Sequence, residues 1–257
     1  MPPPVFFVVY AALVGLLVGS YLNVVIHRLP RQLSTVFPRS RCPHCGAAIR
    51  ARDNFPVLSW VLLRGRCRDC HAPISPRYPT IELMTGALFS LAVVRFGPTT
   101  TAIAAAAFCA ALVALAAIDV EHLLLPDKIT LPGLAIGLAV QPFLSWGSVP
   151  GAIQGALLGA GILLVMAGLW EVTKGVEGMG LGDVKMLAMI GAFLGVHGVV
   201  VTLVVGSLAG SIVGITLLAR GSIELQGKLP FGLFLALGAG VALFVGEALA
   251  RSYLTLL

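Results

Sequence analysis

The sequence predicts an all-α polytopic membrane protein of about eight transmembrane helices, with a cytoplasmic zinc-binding loop domain after the first helix. Three observations lead there. Of 257 residues, 58% are hydrophobic and 11% charged, and a mean hydropathy of +0.98 belongs to a chain whose solvent is mostly lipid. Uncharged stretches recur at about the 20 residues a helix needs to cross a hydrocarbon core. The remaining charge is concentrated, with ten arginines between His27 and Thr80 against Asp53 and Asp69. The formal charge of +6 therefore reads as membrane topology. It is not interleaved with aromatics in the groove-like pattern of a nucleic-acid binder.

The first span is expected over Val5 to Ile26. No Lys or Arg precedes Arg28, so the charged start of a signal peptide is missing and this run is expected to be retained. The arginine-rich segment from 27 to 80 is then cytoplasmic by the positive-inside rule. Ile81 to Val94 and Phe96 to Ile118 form an apolar pair broken at the turn signal Arg95-Phe96-Gly97-Pro98. Ile129 to Trp170 contains 42 residues without a charge. The prolines and glycines between Pro142 and Gly151 divide it into two helices. Met186 to Gly195 is short, about 15 Å as a helix, and Val199 to Ala219 and Leu229 to Ala250 follow. Counting all of these gives eight crossings, with seven if the short one is re-entrant. Three domains result: the first helix over 1–26, the cytoplasmic segment over 27–80 and a membrane domain over 81–257. Gly206, Gly210 and Gly214, and Gly133 with Gly137, are spaced for close helix packing.

Cys42-Pro43-His44-Cys45 and Cys67-Arg68-Asp69-Cys70 have the form of two knuckles that give four thiolates to one tetrahedral zinc. Gly46 suits the tight turn after the first pair. A disulfide is the competing reading, but it conflicts with a reduced cytoplasmic location. Four protein ligands leave no open position for water, which makes the metal structural. Cys109, in an apolar run, reads as a small buried side chain.

Two aspartates stand out beside long uncharged stretches: Asp119, which closes the run after Phe96, and Asp183, after Gly180-Leu181-Gly182. Ionisable groups at the edge of a bilayer are costly, which makes function the default hypothesis for each. An even number of crossings between them places both on one side. Two carboxylates in proximity can share a proton and polarise water, the chemistry of general acid/base peptide hydrolysis. Each also has a plainer reading: Asp119 as a helix end in the headgroup region, and the glycines Gly180 and Gly182 as an ordinary interhelical turn. Asp127 after Pro126 is expected to be the N-cap of the next helix. Glu121 and Glu177 belong to an acidic rim that would attract a basic substrate segment, or are solvated loop charges. His122 and His197 read as loop residues.

These segments together resemble the type IV prepilin leader peptidases, membrane aspartic peptidases of the Gly-x-Gly-Asp kind. The resemblance is carried by Gly19-Ser20-Tyr21-Leu22-Asn23-Val24-Val25-Ile26-His27-Arg28-Leu29-Pro30, the cysteine quartet and Asn54-Phe55-Pro56-Val57-Leu58-Ser59-Trp60. It continues through Arg77 to Gly86, Ile118-Asp119, Leu125-Pro126-Asp127 and Glu177 to Lys185, from about Gly15 to the seventh apolar segment. Tyr21, where phenylalanine is usual, and Leu181, at a variable position, are minor departures. The resemblance implies a bacterial inner-membrane enzyme with its active site facing the cytoplasm. Its substrates would be prepilins or pseudopilins of type IV pilus or type II secretion systems, with a basic leader and an apolar helix. Asp119 and Asp183 would be the catalytic pair. It further implies methylation of the new N-terminal residue with S-adenosylmethionine, although the chain has no Gly-x-Gly-x-x-Gly after a strand to mark the cofactor's place. A proton- or cation-coupled transporter, and a secretion-assembly scaffold with a structural zinc loop, are the alternatives. Two carboxylates on one face and no inverted symmetry weigh against the transporter.

Overall fold

The computed structural model describes residues 3–175, 180–220 and 229–254 and divides into two compact units, Met1–Ala114 and Leu115–Leu257. Eight α-helices account for most of it: α1 Val5–Arg28, α2 Leu58–Leu62, α3 Arg77–Phe96, α4 Thr100–His122, α5 Asp127–Ala139, α6 Val149–Lys174, α7 Leu181–Ala219 and α8 Phe231–Leu254. Among the described residues there is no strand. Two isolated β-bridges, Arg41 to Ala48 and Arg66 to Pro73, are the only pairing of extended chain there.

In the first unit α1 packs along α3 through small residues. A Cβ on Gly15 would lie 2.7 Å from the Gly86 Cα, and one on Gly19 would lie 2.7 Å from the Glu82 Cα. The two backbones therefore touch, which is how helices associate where lipid removes the hydrophobic drive between them. The buried Asn23 ties the pair further, donating to Gly19 O at 3.2 Å and Tyr78 O at 3.1 Å. Helix α3 starts at Arg77, before the expected Ile81, because Pro79 falls in the first turn, where a helix has no use for its missing amide. It stops at Gly97, whose φ of 70° and ψ of −179° form an extended positive-φ conformation that glycine takes without strain.

Between α1 and α3, the segment Asn54 to Trp60 is held by named bonds. Ser59 Oγ accepts from Phe55 N at 3.0 Å and donates to Arg52 O at 3.2 Å, and the Trp60 indole donates to Ile74 O at 3.1 Å. Val57 sits at a φ of 60°, costly for a β-branched residue. Its amide donates at 2.7 Å to the carboxylate of Glu82, a buried residue of α3. That bond fastens the 54–60 segment to the helix that follows it.

In the second unit α7 is central, packing against α5, α6 and α8. A Cβ on Gly155 of α6 would lie 2.5 Å from Gly191 O. Gly206 meets Phe234 of α8, and Gly133 and Gly137 of α5 meet Met189 and Phe193. The small-residue spacings are thus packing surfaces. At 39 residues α7 would reach about 58 Å if straight, nearly twice a ~30 Å core. It breaks at Gly195, with φ 67° and ψ −168°. The short run expected over Met186 to Gly195 is the end of the front half.

A break inside a bilayer frees carbonyls that no water reaches. The buried Gln141 answers this, with Nε2 donating to Ala192 O at 2.6 Å, Gly137 O at 3.1 Å and Phe193 O at 3.3 Å, while Oε1 accepts from Ser148 N at 3.0 Å. The Trp146 indole adds a bond to Phe193 O at 3.2 Å. The turn read as a simple interruption between two helices is therefore the cap of a third.

Among the described residues, five helices, α1, α3, α4, α6 and α7, are long and apolar enough to cross a membrane; eight crossings are expected from the sequence. Helix α5 has 13 residues, about 20 Å, and the described apolar part of α8 is Phe231–Gly246. Every apolar segment read from the sequence is helical, but length alone qualifies fewer as spans.

Replacing Gln141 by leucine keeps its volume and removes the amide's bonds at the break, leaving only that of Trp146. Thermal unfolding in detergent should show a loss of about 2 kcal/mol, while Gln154→Leu, at an exposed position on α6, should leave the midpoint unchanged.

Candidate functional site

The two C-x2-C segments fold alike. Cys42 N donates to Ala47 O at 2.9 Å and Gly46 N to Cys42 O at 2.9 Å. At the matching positions Cys67 N donates to Ala72 O at 2.8 Å and His71 N to Cys67 O at 3.0 Å. Gly46 has φ 72° and His71 has φ 57°, and each knuckle closes with its β-bridge. Each turn aims amides at its sulfurs, and together they bring the ligand atoms of Cys42, Cys45, Cys67 and Cys70 within 4.8 Å of one another.

Cys42 Sγ and Cys70 Sγ are 3.8 Å apart. Tetrahedral metal–thiolate bonds of about 2.3 Å set sulfurs about 3.8 Å apart, whereas a disulfide needs about 2.05 Å. All four cysteines are free thiols, so the donor set fits a metal ion. Hydrogen bonds from the Cys45 and His44 amides draw the Cys42 thiol down to about 6. At Cys70 the Ala72 amide acts in the same sense, but burial and the neighbouring thiols outweigh it and push the thiol up to about 12. A cluster that releases its first proton easily and its last with difficulty is one that a cation completes.

Beside the knuckles, Arg68 clasps Asp53 with Nε at 2.9 Å from Oδ2 and Nη2 at 2.6 Å from Oδ1, and Arg50 reaches Asp69 at 3.3 Å. The Arg68 bond holds Asp53 below the usual carboxylate range. The clasp is thus complete at neutral pH and is lost only as pH falls through that depressed value.

The aspartates lie in the second unit. Asp119, on the last turn of α4, is 5% exposed. Its Oδ2 accepts from Leu233 N at 3.3 Å, in the first turn of α8, where helix amides have no partner of their own. A Cβ on Gly232 would lie 2.9 Å from that oxygen, so glycine there opens the approach. Asp183 is the third residue of α7, and its charge and that of Asp119 lie within Coulombic reach of one another. Leu125 is the spacer: a Cβ on Gly182 would lie 3.0 Å from its Cβ, and one on Gly232 would lie 3.0 Å from its Cδ2. The starts of α7 and α8 thus converge on one leucine, with Asp183 on the first and Asp119, from the end of α4, bonded to the second. Gly180 precedes α7 in extended conformation, and Gly182 is helical and packed.

Other expected residues take different places. Asp127 is the first residue of α5, with Pro126 at the cap position and no capping bond from its side chain. The Lys185 ammonium holds it at 2.8 Å, so the first turns of α5 and α7 are clamped by charge instead. Glu121 lies 3.9 Å from His122, and Glu177 lies outside the described residues. The sequence reading missed the α8 amides, although Pro230 directly before Phe231-Gly232 is a helix-start signal.

Two family models match the chain: the bacterial peptidase A24 N-terminal domain over residues 13–96 and the type IV leader peptidase family over residues 106–215. A prepilin leader peptidase/N-methyltransferase of Burkholderia pseudomallei is 42% identical over 92% of this chain and 85% of that protein. Proteins of the same description from Stutzerimonas stutzeri and Pseudomonas aeruginosa are 39% and 38% identical, each over 98% of this chain and 95% and 94% of their own lengths. No solved structure matches. The chain belongs to the type IV leader peptidase family.

Purified protein should carry about one metal ion per chain by elemental analysis. Cys42→Ser or a strong chelator should remove it and expose the 41–74 segment to protease, since folding of such knuckles is linked to the metal.

Proposed function

We propose that the chain is a membrane aspartic endopeptidase that cuts the basic leader from type IV prepilins and pseudopilins at the cytoplasmic face of the inner membrane, and then N-methylates the new N-terminal residue. The observation that carries the peptidase reading is the convergence of Asp119 and Asp183 at the first turns of α8 and α7. Neither has a cationic partner among the described residues.

Asp119, whose Oδ2 accepts from the Leu233 amide at the start of α8, is assigned the role of base and Asp183 that of acid. Water's oxygen adds to the scissile carbonyl carbon as a water proton passes to Asp119 and Asp183 gives its proton to the carbonyl oxygen. The diol collapses when Asp183 takes back a hydroxyl proton and Asp119 delivers its own to the leaving nitrogen. Gly180 and Gly182 keep the front of α7 slim beside this pair. Glu121 and Glu177 are proposed to attract the leader's basic residues.

The metal is proposed to be a structural zinc, and segment 27–80 to serve methyl transfer, apart from the peptidase over 81–257. S-adenosylmethionine supplies an electrophilic methyl on a sulfonium. A cleft in the first unit, about 380 Å³, is lined by Arg28 and Arg39 and suits an anion better than that cation, so no residue is assigned to the donor. A proton-coupled transporter finds no support in carboxylates that meet at helix ends, and nothing favours a scaffold.

Incubation with a prepilin-like substrate, with the new N-terminus read by mass, tests the pair. Asp119→Asn and Asp183→Asn should each lower cleavage on the order of 10³-fold while metal content stays at wild type, and cleavage by either variant at the wild-type rate would refute the mechanism. In Cys42→Ser, methylation of a pre-cut substrate should fall further than cleavage does.

A further inference from the structure

Segment 27–80 carries an arginine excess that its two aspartates do not offset, because Asp53 and Asp69 are already held by Arg68 and Arg50. It also exposes large apolar side chains where a water-facing loop would not. After α1 the chain curls back on that helix's last turn. Arg28 donates to Ser34 O at 3.0 Å and Pro38 O at 2.8 Å, Val36 N and Phe37 N donate to Ser34 Oγ, and Tyr21 OH donates to Thr35 Oγ1 at 3.2 Å. The loop is pinned in shape, yet Val36 is 67% exposed, Phe37 74% and Leu33 53%. Beside them opens the cleft of about 380 Å³, with Val24 and Arg28 from α1 and Thr35, Arg39, Ser40 and Asn54 around it. Arg39 has no hydrogen-bond or ion-pair partner among the described residues and is exposed.

An apolar tip beside basic residues is the pattern of a segment lying in the headgroup boundary of an anionic bilayer. The position agrees, since the loop starts at the last residue of α1, a helix long enough to span, and the segment returns through α3, another such helix. We propose that Leu33, Val36 and Phe37 enter the headgroup layer and that the cleft at Arg28 and Arg39 holds the phosphate of an anionic phospholipid. Arg28 shapes the cleft through its two carbonyl bonds. Arg39 supplies the free charge, and Ser40, Thr35 and Asn54 supply polar contacts to the headgroup. This surface keeps the metal-bearing segment against the membrane, and it does not depend on the catalytic assignment.

Full-length protein in nanodiscs of phosphatidylcholine with phosphatidylglycerol tests it, with benzoylphenylalanine at position 37 and lipid retention read by native mass spectrometry. Crosslinks should carry lipid mass, and phosphatidylglycerol should be retained over phosphatidylcholine. Arg39→Glu should cut that retention about tenfold with metal content and leader cleavage unchanged. Crosslinks to protein alone, equal retention of the two lipids, or an undiminished Arg39→Glu variant would overturn the proposal. Full displacement of the lipid by inorganic phosphate would also overturn it, by marking a site for free anion.

Discussion

A polar group inside a bilayer cannot turn to water, so each one the chain places there must be met by another part of the protein. That constraint organises the second unit. Gly195 interrupts α7, and the freed carbonyls of Ala192 and Phe193 are taken by Gln141 and Trp146. Asp119 ends α4 among apolar side chains, and its Oδ2 is taken by the first turn of α8. The same bond satisfies an amide that α8 cannot satisfy itself. One carboxylate and one helix start each supply what the other lacks.

Glycine makes these meetings possible by letting backbone come where a side chain would stand. Gly155 against Gly191 sets α6 on α7, and Gly232 admits the Asp119 carboxylate. In the first unit Gly15 and Gly19 bring α1 onto α3 near Glu82, whose carboxylate then holds the strained Val57 amide. Close helix approach thus reaches from packing to the placement of polar groups.

What was legible in the sequence followed from local rules. Apolar runs between charges gave the helices, and Arg95-Phe96-Gly97-Pro98 gave the turn between α3 and α4. The C-x2-C pairs gave the four-cysteine cluster, because a thiolate knuckle is a short-range object. Less legible were features made by distant residues. Asp127 has the composition of an N-cap, but its partner is Lys185, 58 positions away. The paired knuckles also form a repeat that is too brief to register as one, since His71 replaces Gly46 at the left-handed position. The Asp119 contact with α8 spans 114 positions and no local pattern announces it. Span number is less legible for a related reason: hydrophobicity marks a helix as lipid-compatible, whereas its length, as with the 13 residues of α5, bears on whether it can cross alone.

The acidic residues themselves separate structure from chemistry. In the first unit Asp53 and Asp69 face arginines, and Glu82 has an amide to hold. In the second, Asp127 faces Lys185. A carboxylate kept for architecture acquires a cation or a fixed donor, because an unpaired one is a standing cost. Among the described residues Asp183 has neither, and the charge nearest to it in effect is the other aspartate, which has a fixed donor in Leu233 N but no cation. Bringing two like charges together in a sparsely charged bundle raises the energy of the fold with no structural return. Such a pair has the form that general acid/base chemistry uses, one carboxyl holding a proton while the other accepts one.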